Sequence, residues 1–335
     1  MRAACFFYFK EVRMKGIENL PWRQPMLLLP NHQNALIDAL LIAVHAPKKP
    51  YFLARADVFA NRFLKELFHL LQMLPIYRMR DGRETLVRNR RIFDRCATLL
   101  ARSETLLLFP EANHSLIRRV RPLSKGFTRI VYHTWELHKG LDILLVPVGV
   151  NYVHPAGFPD RVAFYFGEPV SACRTNDAPD ARLGALKMRN LIFNCLQGLT
   201  THIPEEMNYD AAIRYLEGRE ADFTLPQKVN QMLRSREESP VISCLRTRRS
   251  TARRIWDGLF WLANFPLICI WRYLVKPRVA EVEFLSSWRL LFGLLAYPPA
   301  YLFTFLLLLW FYGWIPALLI PITHVIFNLC YVKFR

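Results

Sequence analysis

From Leu290 to Val332 the chain runs for 43 residues without a lysine, arginine, aspartate or glutamate, bounded by Arg289 and Lys333. As continuous helix this run would reach about 64 Å at a rise of about 1.5 Å per residue. A bilayer's hydrocarbon is roughly 30 Å thick, so the run reads as two spans, a hairpin over about 290–332. Tyr312-Gly313-Trp314 and Pro316 mark its turn. Two apolar helices in water would each carry a polar face, and none is visible here. Basic residues at both ends, Arg289 on one side and Lys333 with Arg335 on the other, place both ends on the cytoplasmic side. A simple soluble enzyme is excluded.

The segment before the hairpin has the same character on a smaller scale. Arg246, Arg248, Arg249, Arg253 and Arg254 fall within nine residues, directly ahead of the 14 uncharged residues Gly258 to Trp271. Fourteen residues are short of the roughly 20 needed for a straight span, and Pro266 interrupts them. The stretch of about 256–274 is either a re-entrant or interfacial segment, or a span lengthened by its flanks. Crossing would put Lys276, Arg278 and Arg289 outside, against the positive-inside bias, so the re-entrant form with two spans is preferred. At the other end, Cys5 to Phe9 is an apolar patch too short for a secretory signal. Residues 1–10 read as an interfacial anchor or the remainder of a longer helix.

Lys plus Arg outnumber Asp plus Glu 45 to 27, for a net charge of +18. Such a balance suits nucleic acid or anionic lipid. Beside a membrane-like segment the anionic lipids of the bilayer are the expected partner; no zinc-finger spacing, RNA-binding aromatic signature or glycine-rich nucleotide loop supports nucleic acid. Seven scattered cysteines without CxxC spacing fit a reducing compartment rather than a disulfide framework.

The remaining chain alternates strands and helices. Pro25 to Pro30, Tyr51 to Ala54, Thr105 to Phe109, Ile143 to Val150 and Val162 to Phe166 read as strands apolar on both faces. Ala35 to Val44, Arg62 to Met73, the Leu86–Phe93–Ala97–Leu100 stretch and Ala181 to Leu196 read as helices, with a loop at Asn176 to Pro179. Together they predict an α/β fold, a mainly parallel sheet flanked by helices, joined to a C-terminal helical transmembrane region. The expected units are a catalytic domain over 11–199, a helical and basic linker over 200–255 and a membrane region over 256–335.

The most informative chemistry lies in Asn31-His32-Gln33-Asn34-Ala35-Leu36-Ile37-Asp38. A histidine just past a buried strand, with a carboxylate one to two helical turns on, suits a general base and the group that orients it. The same pair also suits a purely structural role. Three further segments follow: Pro75-Ile76-Tyr77-Arg78, Phe109-Pro110-Glu111-Ala112-Asn113-His114-Ser115, and Val146-Pro147-Val148-Gly149. Neither the histidines nor the acids show metal-ligand spacing, so no metal and no cofactor are expected.

In order and spacing these four segments resemble the sequence blocks of the glycerolipid acyltransferase family related to bacterial lysophosphatidate acyltransferase. The resemblance covers about residues 11 to 170, and the basic and C-terminal parts are similar to a membrane-bound bacterial branch of it. It implies that His32 deprotonates an acceptor hydroxyl while Asp38 orients the imidazole. The hydroxyl then attacks the thioester of acyl-CoA or acyl-ACP, the donor substrates. Arg78 would contact the acceptor phosphate, a task suited to the paired donors of a guanidinium. Glu111 would organise the acceptor pocket, with Asn31, Pro110 and Pro147 as structural support. Two features depart from the pattern. Five residues, not four, separate His32 from Asp38, as in the branch resembling yeast glycerol-3-phosphate or dihydroxyacetone-phosphate acyltransferases; on a helix one extra residue is a rotation of about 100°. Ala112 stands where the third block has glycine, and that block lacks its arginine. His114, Arg118, Arg119, Arg121 and Lys125 are the candidates for the missing acceptor contacts, unless the basic ones face lipid headgroups instead.

The expected function is therefore acyl transfer to a phosphorylated glycerol acceptor, either 1-acyl-sn-glycerol-3-phosphate or glycerol-3-phosphate. The resemblance puts it at the cell inner membrane with the catalytic domain cytoplasmic. Acylation of an ornithine lipid, a hydroxy-acyl lipid or a glycan is the alternative enzyme reading. An inactive basic membrane scaffold is the non-enzyme reading, which intact His32, Asp38 and Glu111 oppose.

Overall fold

A computed structural model describes residues 2–56, 72–77, 84–175, 180–236 and 251–335. Among the described residues eight strands form one sheet: β1 (Phe9–Lys15), β2 (Met26–Pro30), β3 (Tyr51–Arg55), β4 (Met73–Ile76), β5 (Thr105–Leu108), β6 (Leu144–Tyr152), β7 (Asp160–Phe166) and β8 (Val170–Ser171). Their order is β1-β7-β6-β2-β5-β3-β4, with β8 also paired to β6. The pairings β1–β7, β2–β5, β2–β6, β3–β4 and β3–β5 are parallel. Those of β6 with β7 and β8 are antiparallel. The sheet is thus mixed: the turn-back after β6 brings β7 alongside without a crossover helix.

Helices cover both faces. They are α1 (Arg2–Tyr8), α2 (Ala35–His45), α3 (Glu84–Ala101), α4 (Gly126–Leu137), α5 (Ala172–Thr175), α6 (Ala181–Leu199), α7 (Tyr209–Gly218), α8 (Pro226–Arg236), α9 (Thr251–Ala263), α10 (Phe265–Cys269), α11 (Leu285–Tyr312) and α12 (Trp314–Phe334). Strand alternation sorts the core into two layers. Leu28, Val146, Val148, Val150 and Tyr152 pack with Ile37 and Leu41 of α2. Leu27, Leu29, Leu106 and Leu145 pack with Leu100 of α3, Ile130 of α4 and Ile192 of α6 on the other side. Leu27, Leu28 and Leu29 are all fully buried, because β2 has a strand on each side and helices on each face.

Pro147 is accommodated in β6 where the partner strand changes. β8 pairs with residues 144–145 and β7 with 148–152, and a proline between them lacks an N–H where no strand needs one. Two residues on, a Cβ at Gly149 would stand 2.0 Å from the Leu199 carbonyl oxygen, so only glycine lets the end of α6 lie on β6.

Several sequence expectations change. Met73, placed at a helix end, opens strand β4, whose residues pair with β3. β1 begins at Phe9, inside the ten residues assigned to an anchor, and α4 occupies a stretch read only as basic. Residues 203–233 pack a small core of their own from Ile203, Leu216, Phe223, Val229 and Leu233. Residues 62–71 of the helix expected over Arg62 to Met73, the loop at 176–179 and Arg246, Arg248 and Arg249 lie outside the described residues.

Among the described residues two helices are long and apolar enough to cross a membrane, 282–312 and 314–334. They meet at Gly313, whose φ of 82° is readily adopted only by glycine. The 28 residues of α11 reach about 42 Å, and the first two turns are used for docking. Ser286 Oγ donates to the Pro155 carbonyl at 2.6 Å and Arg289 to the Gly157 carbonyl at 2.9 Å. The preceding segment, 251–278, bends by 91° between residues 263 and 265, at Asn264. Such a bend belongs to either a broken span or a re-entrant loop.

Candidate active site

The site forms where β2 and β5 end, at the carboxyl edge of parallel strands. Pro30 closes β2, and Asn31 fixes the exit. Its side-chain amide donates to the Val150 carbonyl (3.2 Å), and its Oδ1 accepts from the Val150 N–H (2.6 Å). His32 and Gln33 follow outside any helix; Asn34 is the N-cap of α2 and Asp38 sits in its first turn.

Asp38 is fully buried and satisfied on both oxygens. Oδ2 accepts from His32 Nδ1 (2.9 Å), Gln33 N (2.9 Å) and Asn34 N (2.8 Å), and Oδ1 accepts from the Tyr152 hydroxyl (2.7 Å). Four donors are what an ionised carboxylate needs in place of water. Burial, with Asp38 alongside, pushes the Tyr152 phenol well above its usual range, so it stays a donor. Anchoring Nδ1 on Asp38 fixes the tautomer that leaves Nε2 as proton acceptor. Among the described residues Nε2 makes no hydrogen bond. The ring is stacked on Phe109 at 3.7 Å between centroids, which holds its plane.

The longer spacing is absorbed before the helix. Because His32 precedes α2, the extra residue adds to a loop and does not rotate one side chain about a helix axis. The chain turns at Ala35, whose φ of 34° is unfavourable for alanine. The bonds from Gln33 N and Asn34 N to Asp38 hold that strained turn in place.

Glu111, also buried, braces the site from the third block. Its Oε2 accepts from the His32 N–H (3.2 Å) and from Arg121 Nη2 (2.7 Å), and its Oε1 from the Arg121 N–H (3.0 Å). Arg121 is partly exposed and also reaches the Asn113 carbonyl. Pro110 accepts from Ser124 N–H at 2.7 Å, folding the basic loop back on the site.

The remaining cations divide. Arg118 is buried, donates to the Tyr152 and Val153 carbonyls (2.8 and 2.7 Å), and stacks over Phe223. Desolvation lowers its pKa to about 10. Arg119 donates to the Ile203 and Pro204 carbonyls. Arg118 thus ties Phe223 to the end of β6, and Arg119 ties its own loop to residues 203–204. Lys125 is exposed at the start of α4. Arg78 lies outside the described residues. The chain one residue before it is held by Asn89, which exchanges two hydrogen bonds with the Tyr77 backbone.

His114 stands edge-on to His32, ring centroids 5.6 Å apart, and shares a 2.6 Å hydrogen bond with Glu281 just ahead of α11. With Glu283 these form the one group of metal-ligating type among the described residues, ligand atoms within 4.8 Å of one another. Separated by 167 residues from His114, Glu281 gave no sequence signal. Tyr152 did: two and four residues past Val150 and Val148 on a strand, it shares their face toward α2.

A buried strand ending in a base–carboxylate pair, braced by a glutamate from the neighbouring strand, is an arrangement suited to activating a hydroxyl. Residues 11–151, which hold all of it except Tyr152 and the Glu281 contact, match the family model described as Acyltransferase. That is a likeness of this part of the chain to acyltransferases. The chain is 25% identical over 146 residues to an uncharacterized acyltransferase of Schizosaccharomyces pombe, covering 42% of this chain and 22% of the relative. It is 28% identical over 79 residues to glycerol-3-phosphate O-acyltransferase 1 of Saccharomyces cerevisiae, 24% of this chain and 10% of that protein. The chain therefore spans under a quarter of the length of the curated relatives it matches. Among solved structures it is similar to the 1-acyl-sn-glycerophosphate (LPA) acyltransferase PlsC of Thermotoga maritima. Identity there is 19% and the TM-score 0.41, covering 56% of this chain and 69% of the other.

Proposed function

We propose that the protein transfers a fatty acyl group from acyl-CoA or acyl-ACP to a hydroxyl of a glycerol-phosphate-type acceptor, at the cytoplasmic face of the inner membrane. The observation that carries this reading is His32 Nδ1 held by a buried, four-fold satisfied Asp38. Nε2 accepts the proton as the acceptor oxygen bonds to the thioester carbonyl carbon. The tetrahedral oxyanion then collapses, the carbon–sulfur bond breaks, and the leaving thiolate takes the proton back from the imidazolium. A positioned base of this kind contributes about 10²–10⁴-fold, and the oxyanion requires further donors. Arg121, partly exposed and held by Glu111, supplies positive charge beside His32 for the acceptor phosphate; Arg78 is proposed as its partner in this task.

The test offers purified full-length protein labelled acyl-CoA or acyl-ACP with 1-acyl-sn-glycerol-3-phosphate, glycerol-3-phosphate and dihydroxyacetone phosphate in turn. Ester formation on at least one phosphorylated acceptor is expected. Failure with all three, while an ornithine lipid or hydroxy-acyl lipid is acylated, would replace the acceptor class and keep the mechanism.

A further inference from the structure

A cavity of about 660 Å³, whose lining does not include His32, lies between α1, the bent 251–278 segment, α11 and α12. Its walls are apolar, with Phe7, Phe260, Leu267, Trp271 and Leu294 among them, and Arg289 is its only charged residue among those described. Three other polar side chains on the wall, Asn328, Tyr297 and Tyr301, are already paired. Asn328 bonds Asn264 (2.8 Å) and Tyr301 (3.3 Å), and Tyr297 bonds Asn264 (2.8 Å). The guanidinium of Arg289 is different. Among the described residues its hydrogen-bond partners are neutral oxygens, the Tyr8 hydroxyl and the Ala156 and Gly157 carbonyls, and it stands over the rings of Phe158 and Trp271. Those contacts orient the cation without neutralising it.

A partly open apolar volume of ligand size, with one cation lacking an acidic partner among the described residues at the end nearest the α/β domain, complements a molecule with a long apolar tail and an anionic head. The surrounding helices expose Leu295, Leu302 and Phe303 outward, as lipid-facing surfaces do. Gly293 marks the space: it lines the cavity, and a Cβ there would meet nothing within 4 Å. We infer that this cavity is a lipid site, holding one fatty acyl chain of a phosphate-bearing bilayer lipid with the phosphate against Arg289. Guanidinium and phosphate match in charge and in paired donor geometry. The head would rest on the loop of Pro155, Ala156 and Gly157. On its other side Asn34, at the start of the catalytic helix, donates to the Pro155 carbonyl at 2.7 Å.

Photo-crosslinking of the full-length protein in lipid nanodiscs tests this, using phosphatidic acid with a diazirine midway along one acyl chain and the matching diacylglycerol. Labelling needs no turnover, so the outcome is independent of the acyl-transfer reading. The phosphatidic acid probe is expected to label cavity residues at least about fivefold more than diacylglycerol, a modest preference for one charge-assisted contact. Gly293→Phe should fill the cavity and lower that labelling about fivefold or more. Leu267→Trp should do the same from the opposite wall. Gly258→Phe, at an exposed glycine outside the lining, should leave it unchanged, with thermal melts confirming that each variant is folded. Equal labelling by diacylglycerol, or labelling that survives both cavity-filling variants, would overturn the proposal.

Discussion

Two histidines in this molecule sit at the centre of hydrogen-bonded networks, and they are built for different ends. His32 lies at the edge of the α/β sheet with Nδ1 on a buried carboxylate and Nε2 unbonded among the described residues. His324 lies between the apolar C-terminal helices and uses both ring nitrogens, Nδ1 with the Tyr301 hydroxyl (3.0 Å) and Nε2 with the Ala263 carbonyl (3.1 Å). One imidazole is anchored by a charge and left with a reactive nitrogen. The other is consumed by neutral partners that clasp the bent segment to α11 and α12. The contrast shows why a hydrogen-bonded histidine alone says little: the partner's charge and the remaining nitrogen decide whether it can move a proton.

Substitutions can break or sharpen that contrast. Asp38→Asn should cost most, about 10³–10⁴-fold in turnover, by the loss of tautomer control seen when an orienting carboxylate becomes an amide. Steady-state rates on protein with an unchanged far-UV spectrum check it. Tyr152→Phe removes the donor to Asp38 Oδ1 and should destabilise the fold by about 1–3 kcal/mol, read by denaturant unfolding. Turnover should fall less than in Asp38→Asn, because His32 keeps its partner. His324→Phe should leave turnover within about threefold and lower stability by about 0.6–1.7 kcal/mol, the range of hydrogen bonds between membrane helices. A large loss of turnover with normal stability would erase the distinction between the two histidines.

The smallest effect concerns Asp160, which burial raises from an ordinary value of 3.8 to about 6. Between those values the folded state holds a proton that the unfolded state has released, so Asp160 lowers stability as pH rises through the window. Asp160→Asn should therefore gain thermal stability relative to the wild type as pH rises from about 4 to 6, with a flat difference above.

Much of the α/β core was legible because buried strands carry unbroken apolar runs. β2, β3, β5, β6 and β7 each overlap an expected strand, and α2 and α6 begin at the expected residues. β1 was not legible, because as an edge strand it alternates Lys10, Glu11, Arg13 and Lys15 with its apolar residues. β4 was obscured by the apolar run before it, which hides the change of period. His32, Asp38 and Glu111 do come together, yet the reasoning from helical rotation failed because His32 is not on the helix. Arg118 and Arg119 read as acceptor contacts or as a lipid-facing basic surface, and only the fold reveals the carbonyls they bind. Arg289 read as a charge marking a membrane boundary. Its position also places it between the α/β domain and the cavity, which no local pattern encodes.

The central claim is that His32 is the base of an acyl transfer, and comparing wild type with His32→Ala tests it most directly. Full-length proteins of matched stability would be given labelled acyl thioester and the preferred phosphorylated glycerol acceptor, with ester product followed over time. The account predicts product from the wild type and a loss of at least about 10²-fold in the variant. Equal rates of ester formation would contradict it.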